Sequence, residues 1–142
     1  MKISSRGRYG IRLLIDLAEH GAQGHITLSS VAARQNVSVR YLEQVAIILR
    51  RAGIIRSIKG AQGGYALSKK PEEIIVGDVL RSLEGDMLIA DPPLASERET
   101  KYSETVRRVV FERLNQKIAS IIDSQTLASL AGVSQKEYMY FI

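Results

Sequence analysis

The sequence has 142 residues, which corresponds to about one average domain. It is 45% hydrophobic and 25% charged, a composition that excludes a disordered chain and a membrane-embedded one. The absence of cysteine excludes disulfides, thiolate zinc sites, cysteine-ligated iron–sulfur clusters and a cysteine nucleophile. Because the sequence contains neither a membrane-length apolar run nor a signal-peptide pattern, we expect no membrane contact and a cytoplasmic location.

The net charge of +5 is unevenly distributed along the chain. Residues 1–70 contain 12 lysines and arginines against three acidic residues, a net charge of +9. Residues 71–142 contain eight basic and 12 acidic residues, a net charge of −4. A basic half joined to an acidic half favours a nucleic-acid-binding module with an assembly or sensing module attached.

The first predicted helix runs from about Ser4 to Glu19, with either Ser4 or Ser5 as its N-cap. Apolar residues recur in it at helical spacing, which is typical of a helix that packs one face on a core. Gly7 and Gly10 lie within this helix, although each glycine costs roughly 1 kcal/mol relative to alanine. These glycines indicate close packing of the helix against another backbone.

The next two predicted helices are short and are joined by a tight turn. Thr27 is the candidate N-cap of the first, and Ser38 is the N-cap of a longer helix from Val39 to about Arg51. The buried face of this longer helix is predicted to consist of Leu42, Val45, Ala46 and Leu49. Two short helices joined by a three- or four-residue turn predict a helix-turn-helix.

A glycine-rich hairpin is predicted directly after the helix-turn-helix. Residues 54–58 have strand character, 59–64 form a turn, and 65–68 form the returning strand. A basic hairpin in this position is typical of the wing of a winged helix. The predicted fold class is therefore mainly α with a small β-hairpin wing, and residues 1–71 form the winged helix-turn-helix domain.

The acidic half is predicted to contain a short helix at 74–83, a loop, and one long helix. Ser96 and Glu99 fit a capping box, so the long helix is expected at about 97–122. Its apolar face is larger than its own domain can cover, which favours a partner helix. We therefore expect residues 72–142 to form a dimerisation and regulatory region, with a last short helix at 126–133. The predicted dimer contacts are Val106, Val110, Leu114, Ile118 and Ile121.

The exposed face of the second helix of the pair offers side chains that match DNA chemistry. Gln44 can bond adenine bidentately, and Glu43 can accept a hydrogen bond from the amino group of cytosine. Arg40 can bind guanine or a phosphate, and Tyr41 and Ser38 can donate to phosphates. The N-terminal half of such a helix normally enters the major groove.

The wing and the end of the same helix extend this candidate interface. Arg51, together with Arg50 and Arg56, suits neutralisation of the phosphate backbone. Lys59 is placed to enter the minor groove, between glycines that allow the backbone to approach closely. The wing residues predicted to contact DNA are Lys59, Gly60, Gly63 and Gly64.

Each of these features has an ordinary structural explanation when it is taken alone. Charged residues on a helix usually form a solvated face, and glycines at a hairpin tip usually serve the turn. The combination of two helices, a basic wing and a net charge of +9 favours DNA binding. An enzyme is disfavoured because the sequence lacks a P-loop, a nucleophile elbow and a nucleophile–base pair. His20 and His25 are expected to be surface residues, the acidic loop is expected to be solvated, and no cofactor or metal is predicted.

The sequence strongly resembles the Rrf-two family of bacterial winged-helix repressors. The resemblance is carried by four segments. They are Met-Lys-Ile-Ser at 1–4, Gly-Arg-Tyr-Gly at 7–10, Val-Ser-Val-Arg-Tyr-Leu-Glu-Gln at 37–44 and Lys-Gly-Ala-Gln-Gly-Gly-Tyr at 59–65. The resemblance implies a transcriptional repressor that binds an inverted-repeat operator in double-stranded DNA as a homodimer. Lys59 departs from the family pattern, in which many relatives carry arginine, so minor-groove contact at this point is expected to be weaker.

The loop before the long helix distinguishes branches of this family. Members that bind an iron–sulfur cluster keep three cysteines in this loop, whereas residues 86–100 contain none. The sequence therefore resembles the cluster-free CymR-type branch, which represses cysteine-metabolism genes.

The last five residues, 138–142, are apolar or aromatic. The same resemblance implies a protein partner for the end of this segment. It implies that Tyr140, Phe141 and Ile142 bind cysteine synthase (O-acetylserine thiol-lyase), which has a pocket for the terminal isoleucine of serine acetyltransferase. The alternative is that these residues pack on the protein itself or on its dimer. A second possible function is therefore a protein–protein regulatory module that acts mainly through a complex with cysteine synthase.

Overall fold

The structure is a computed structural model that describes residues 2–21, 24–60 and 63–132. In chain order the elements are α1 (Ser5–His20), α2 (Leu28–Gln35), α3 (Val39–Arg51), β1 (Ile55–Ile58), β2 (Gly64–Leu67), a 3-10 turn (Pro71–Glu73), α4 (Val76–Glu84), α5 (Lys101–Val106), a π-helical segment (Arg107–Phe111) and α6 (Glu112–Asp123). The last three are continuous and are called the long helix below. Residues 127–132 are also helical. The predicted mainly helical fold with a hairpin wing is confirmed. None of the helices in these ranges is both long and apolar enough to cross a membrane.

Three of the predicted N-caps are confirmed by side-chain hydrogen bonds. The Ser4 hydroxyl accepts from the amide of Arg6 at the start of α1. Thr27 caps α2 in the same way at 3.2 Å, and Ser38 caps α3 at 3.3 Å. These bonds satisfy amides that the first turn of a helix leaves without a partner, which is why the helices begin at these residues.

One hydrophobic core joins both halves of the chain. The predicted buried face of α3 is confirmed, since all four residues are at most 1% exposed. The core also includes Ile74, Val79 and Leu83 from around α4, and Leu127 from the last helical stretch. The amide of Leu127 donates to the carbonyl of Ile74 at 2.8 Å, which brings the chain after the long helix back to the start of α4. The core is therefore continuous across residue 71, the predicted domain boundary.

The wing is fixed to the segment that precedes α2. Strands β1 and β2 pair antiparallel with Ile55 opposite Leu67. Tyr65 also pairs with Ile26, and the two backbone hydrogen bonds are 2.9 and 2.8 Å long. A Cβ atom on Gly64 would lie 2.5 Å from the carbonyl oxygen of Ile26, so only glycine allows this approach. The pairing gives Gly64 a structural role inside the protein.

Gly7 and Gly10 allow α4 to pack closely on α1. We expected them to face another backbone, and this is wrong, because side chains of α4 occupy the space. A Cβ on Gly7 would lie 2.6 Å from Oε1 of Glu84, and one on Gly10 would lie 2.3 Å from Cδ1 of Leu83. The glycines are thus used for side-chain insertion between two helices.

The carboxylate of Glu84, at the end of α4, caps the N-terminus of α1. Its Oε1 accepts from the Ser4 amide at 3.0 Å, the Ser4 hydroxyl at 2.5 Å and the Gly7 amide at 2.9 Å. The first turn of α1 has no acidic residue of its own, so Glu84 supplies the negative charge that a helix N-terminus favours. Burial alone would raise the pKa of Glu84, but the hydrogen bonds from Ser4 and Gly7 hold that pKa below its usual range.

The start of the long helix differs from the prediction. The capping box of Ser96 and Glu99 is wrong, because the helix begins at Lys101 and Thr100 caps it in a reciprocal pair with Ser103. The carboxylate of Glu99 instead binds the guanidinium of Arg107 at 2.5 and 2.8 Å. Glu99, which was predicted to cap the helix, therefore forms an ion pair with Arg107, eight residues further along the chain. This part of the acidic loop is ion-paired, whereas we expected it to be solvated.

Replacement of Glu84 with glutamine tests the cap on α1. We expect Glu84→Gln to lower the free energy of unfolding by about 1 kcal/mol, because the charge at the helix N-terminus is lost while the shape is kept. Urea denaturation measures this change, and Glu73→Gln, on the exposed 3-10 turn, is the matched control.

The stabilisation by Glu84 should also depend on pH. Because folding lowers the pKa of Glu84, its carboxylate stabilises the fold fully at pH values above the pKa in the unfolded chain. This stabilisation is lost as the pH falls through the pKa in the folded protein. The gap between the two proteins should therefore narrow below about pH 4. Equal stability at neutral pH would contradict the assignment.

Candidate nucleic-acid interface

The N-terminal half of α3 presents a polar face to solvent. Arg40, Glu43 and Gln44 are exposed, and Ser38 is exposed just before the helix begins. The apolar residues between them are buried in the core, so the amphipathic pattern orients the helix with these polar side chains outward. The structure therefore brings the predicted residues of this helix onto one accessible surface.

The turn between α2 and α3 is short and has a defined backbone conformation. Asn36 adopts a left-handed conformation with φ of 54°, which asparagine tolerates better than most residues. The amide of Val37 donates to the carbonyl of Ala32 at 3.1 Å and closes the end of α2. Ser38 then starts α3 directly. The geometry is that of the predicted helix-turn-helix.

The wing and α3 border a common open groove of about 410 Å³. Val39 and Glu43 line it from α3, while Ser57, Gly63 and Gly64 line it from the wing. Glu43 is therefore the predicted base-contacting residue nearest to the wing. The groove therefore brings Glu43 of α3 together with Gly63 and Gly64 of the wing, and the other predicted DNA-binding residues lie outside its lining.

The predicted wing tip is exposed, and one of its glycines has a backbone conformation that side chains rarely adopt. Lys59 and Gly60 are both exposed. Gly60 has φ of 143°, a conformation that an added side chain would strain. Gly60 and Gly63 are linked by a backbone hydrogen bond of 3.1 Å. The structure thus presents Lys59 to solvent directly before this hydrogen-bonded turn.

The cations of this surface are not neutralised by neighbouring carboxylates. Within the described residues, no Asp or Glu side chain lies within ion-pair distance of Arg40, Arg51 or Lys59. Arg50 and Arg56 are also exposed. Arg56 lines a different pocket from the groove between α3 and the wing. Exposed cations without a carboxylate partner create a positive potential that attracts the DNA backbone.

Tyr41 is held by an aromatic contact that the sequence did not reveal. Its half-buried ring lies edge-on to the ring of Tyr9 in α1, with centroids 5.2 Å apart. The guanidinium of Arg12 in turn lies over the Tyr9 ring, 5.0 Å from its centroid. Helix α1 therefore contributes to the surface beside α3. The only signal for this in the sequence is the helical spacing of Tyr9 and Arg12, three residues apart.

A buried carboxylate fixes α2 to α1. Asp16 is 5% exposed and accepts two hydrogen bonds from Arg34, at 2.5 and 3.1 Å, and one from Gln35 at 3.2 Å. Burial alone would raise the pKa of Asp16, but the bonds from Arg34 and Gln35 hold it below its usual range. His20, expected on the surface, is half-buried, and its Nδ1 lies 2.9 Å from the Asp16 carbonyl oxygen. This network sets the orientation of α2 and hence of the turn that leads into α3.

The outer side of the long helix carries an apolar stripe. Val106, Val110 and Leu114 are each 44% exposed, and Ile121 is 55% exposed. Ile118, the fifth predicted dimer residue, packs in its own chain against the cluster formed by Val76, Leu80 and Met87. The predicted dimer residues are thus divided between an outward stripe and a contact inside the chain.

The predicted partner-binding residues Tyr140, Phe141 and Ile142 lie outside the described residues, as does the end of the last predicted helix.

The chain matches the family model described as Rrf2, iron-dependent transcriptional regulator, over residues 3–132. It is 38% identical to the HTH-type transcriptional regulator CymR of Bacillus subtilis, and the alignment covers 100% of both chains. The solved structure of CymR, the global cysteine regulator of B. subtilis, superposes with a TM-score of 0.79 at 38% identity, covering 94% of this chain and 98% of that one. The structure of IscR from T. potens superposes with a TM-score of 0.78 at 36% identity, covering 99% and 96%.

The family description names iron, and this chain lacks the cysteines that ligate an iron–sulfur cluster. The whole sequence has no cysteine to supply a thiolate ligand. In the loop at 86–100, the Glu99 carboxylate is bound to Arg107. In the part of the chain that the structure describes, no group of three or more His, Asp or Glu side chains could hold a metal ion. The family match over 130 residues and the full-length similarity to CymR nevertheless lead to one conclusion: the chain belongs to the Rrf2 family of transcriptional regulators.

Proposed function

We propose that this protein is a DNA-binding transcriptional repressor that acts as a homodimer on an inverted-repeat operator. The observation that carries the proposal is the exposed polar face of α3 beside the wing, with cations that have no carboxylate partner in the described residues. A helix oriented in this way presents its first two turns to the major groove while the wing follows the adjacent minor groove.

The roles of the individual side chains follow from their chemistry and exposure. Gln44 bonds an adenine, Glu43 accepts from a cytosine amino group, and Arg40 binds a guanine or a phosphate. Lys59 enters the minor groove, and Arg51 neutralises phosphates. Ser38 and Tyr41 supply hydroxyl groups to the backbone at the start of α3. Gly60, Gly63 and Gly64 allow the wing backbone to approach the DNA, in addition to the role of Gly64 inside the fold.

The apolar stripe of the long helix supports the homodimer. Six large hydrophobic residues of this helix are between 44% and 71% exposed in the single chain: Tyr102, Val106, Val109, Val110, Leu114 and Ile121. An exposed apolar stripe of this length marks an interaction surface. A two-fold dimer buries the same stripe of both chains, and two copies of α3 then face two halves of an inverted repeat.

We assign the regulated genes to cysteine and sulfur metabolism, and the protein to the cytoplasm. The support is the similarity to CymR, whose solved structure is described as that of the global cysteine regulator of B. subtilis. The full-length alignment at 38% identity supports a shared role more strongly than a match of the winged helix alone would.

Replacement of Gln44 tests whether α3 recognises bases. We expect Gln44→Ala to weaken binding to the preferred duplex by roughly 1–3 kcal/mol and to relax the preference at one base position in each half-site. Fluorescence anisotropy at one salt concentration, on duplexes selected with the purified protein and on their single-base variants, measures both effects. Gln116→Ala, at an exposed glutamine of the long helix, is the matched control. Affinity that falls equally for every duplex would show that Gln44 does not bind a base.

A charge in the apolar stripe tests the dimer. We expect Leu114→Glu to shift the protein from dimer to monomer in sedimentation velocity, because the substitution places a carboxylate in an apolar contact. The control is Gln116→Glu, which adds the same charge two residues away, outside the apolar stripe. A dimer that survives Leu114→Glu, or a wild-type protein that sediments as a monomer, would contradict this assignment.

The second candidate function is a regulatory complex with cysteine synthase, formed by Tyr140, Phe141 and Ile142. It is supported by the apolar and aromatic character of these residues and by a similarity to CymR that extends over the whole sequence. We expect deletion of Phe141 and Ile142 to abolish the complex in isothermal titration calorimetry while DNA affinity is retained. An unchanged heat of binding would instead favour packing of these residues on the protein itself.

A further inference from the structure

Arg12 is an exposed arginine of α1 whose guanidinium is held in one orientation by two neighbours. Its Nε donates to the side-chain oxygen of Gln35 at 3.1 Å, and its Nη2 donates to the backbone carbonyl of Gln35 at 3.2 Å. Gln35 completes the arrangement by donating to the backbone carbonyl of Arg12 at 3.0 Å. The plane of the guanidinium is further supported by the ring of Tyr9, at 5.0 Å. These contacts fix the orientation of the Arg12 guanidinium although the side chain is exposed.

The outer edge of this guanidinium keeps its hydrogen-bonding capacity. The bonds to Gln35 use Nε and one hydrogen of Nη2, so the two hydrogens of Nη1 and the second of Nη2 remain. In the described ranges, no carboxylate forms an ion pair with Arg12. The nearby carboxylate of Asp16 is instead bound to Arg34, which is the arginine committed to structure. The positive charge of Arg12 thus has no carboxylate partner in the described residues, and three N–H donors at the outer edge of its guanidinium are free to bind another group.

The location of Arg12 places this fork beside the start of α3. Gln35 is the last residue of α2, immediately before the turn to Ser38. Tyr9 contacts Arg12 on one side and Tyr41, in the first turn of α3, on the other. Because the start of a recognition helix enters the major groove, the turn before it and its neighbours lie at the edge of the groove, where the phosphates run.

We propose that Arg12 binds a DNA phosphate and extends the interface from α3 onto α1, with Gln35 and Tyr9 as its positioning residues. This inference rests on the proposed DNA binding. The planar fork matches two phosphate oxygens, and the contacts with Gln35 hold it ready, so little rotamer entropy is lost on binding. Arg12, Ser38 and Tyr41 then form one row of phosphate contacts along the flank of the recognition helix.

The salt dependence of DNA binding tests this proposal. Each phosphate contact made by a cation contributes about 0.9 to the slope of log affinity against log salt concentration. We expect Arg12→Gln to reduce that slope by about 0.9 per bound protomer, measured by anisotropy on a random-sequence duplex between about 50 and 200 mM salt. Arg98→Gln, at an exposed arginine of the loop before the long helix, removes the same charge and should leave the slope unchanged. Thermal denaturation of each variant confirms that it is folded at the temperature used.

A lysine at the same position separates charge from geometry. Arg12→Lys should keep most of the salt slope but bind the duplex several-fold more weakly, because lysine lacks the planar guanidinium.

An unchanged salt slope in Arg12→Gln, or an equal reduction in Arg98→Gln, would overturn the role of Arg12 and leave the proposed DNA binding intact. If Arg12→Gln does not fold, Arg12→Lys provides the test. Wild-type DNA affinity in Arg12→Lys would overturn the role of the planar guanidinium. Weaker binding with an unchanged salt slope would support that role. A wild-type protein that does not bind the duplex at low salt would overturn the proposed function itself.

Discussion

The carboxylate of Glu84 joins the end of α4 to the beginning of α1, the helix on which α3 and β2 of the basic half pack. One oxygen accepts three hydrogen bonds from Ser4 and Gly7, and two glycines of α1 make the approach possible. Helix α1 then serves as the common support of the DNA-facing elements. Its Asp16 binds the end of α2, and its Tyr9 packs against α3. Helix α1 and the hydrogen bonds of one carboxylate therefore connect the proposed DNA-binding surface to α4, on which the long helix packs.

Helix α4 connects the acidic half of the chain to the basic half. The long helix packs on α4 through Ile118 and Ile122, and Asp123 binds Arg81 of α4 at 2.8 and 2.9 Å. A Cβ atom on Gly77 would collide with Asp123, so α4 and the end of the long helix are closely apposed. Since Glu84 of α4 also caps α1, α4 contacts both the end of the long helix and the start of the basic half.

The parts of the fold that depend on neighbours in sequence could be predicted. Thr27 and Ser38 cap their helices within three residues, and the apolar spacing of α3 identifies its buried face. The cap by Glu84 could not be predicted, since it lies 80 residues from Ser4 and no local pattern links them. The expected capping role of Glu99 was wrong because Arg107 competes for the same carboxylate. In the candidate site, charge and spacing predicted that the polar residues of α3 and the wing tip are exposed, and their contact with DNA stays a prediction. The contribution of α1 requires the contacts of Tyr9 and Arg12, which only the three-dimensional structure provides.

We propose that two copies of this winged helix recognise a two-fold symmetric DNA sequence. Selection of bound duplexes from a random pool with the purified protein, followed by sequencing, tests this. We expect an enriched motif of two inverted half-sites, with their centres separated by about one helical turn of DNA or a multiple of it. A pool with no enriched sequence, or an enriched motif without two-fold symmetry, would contradict it.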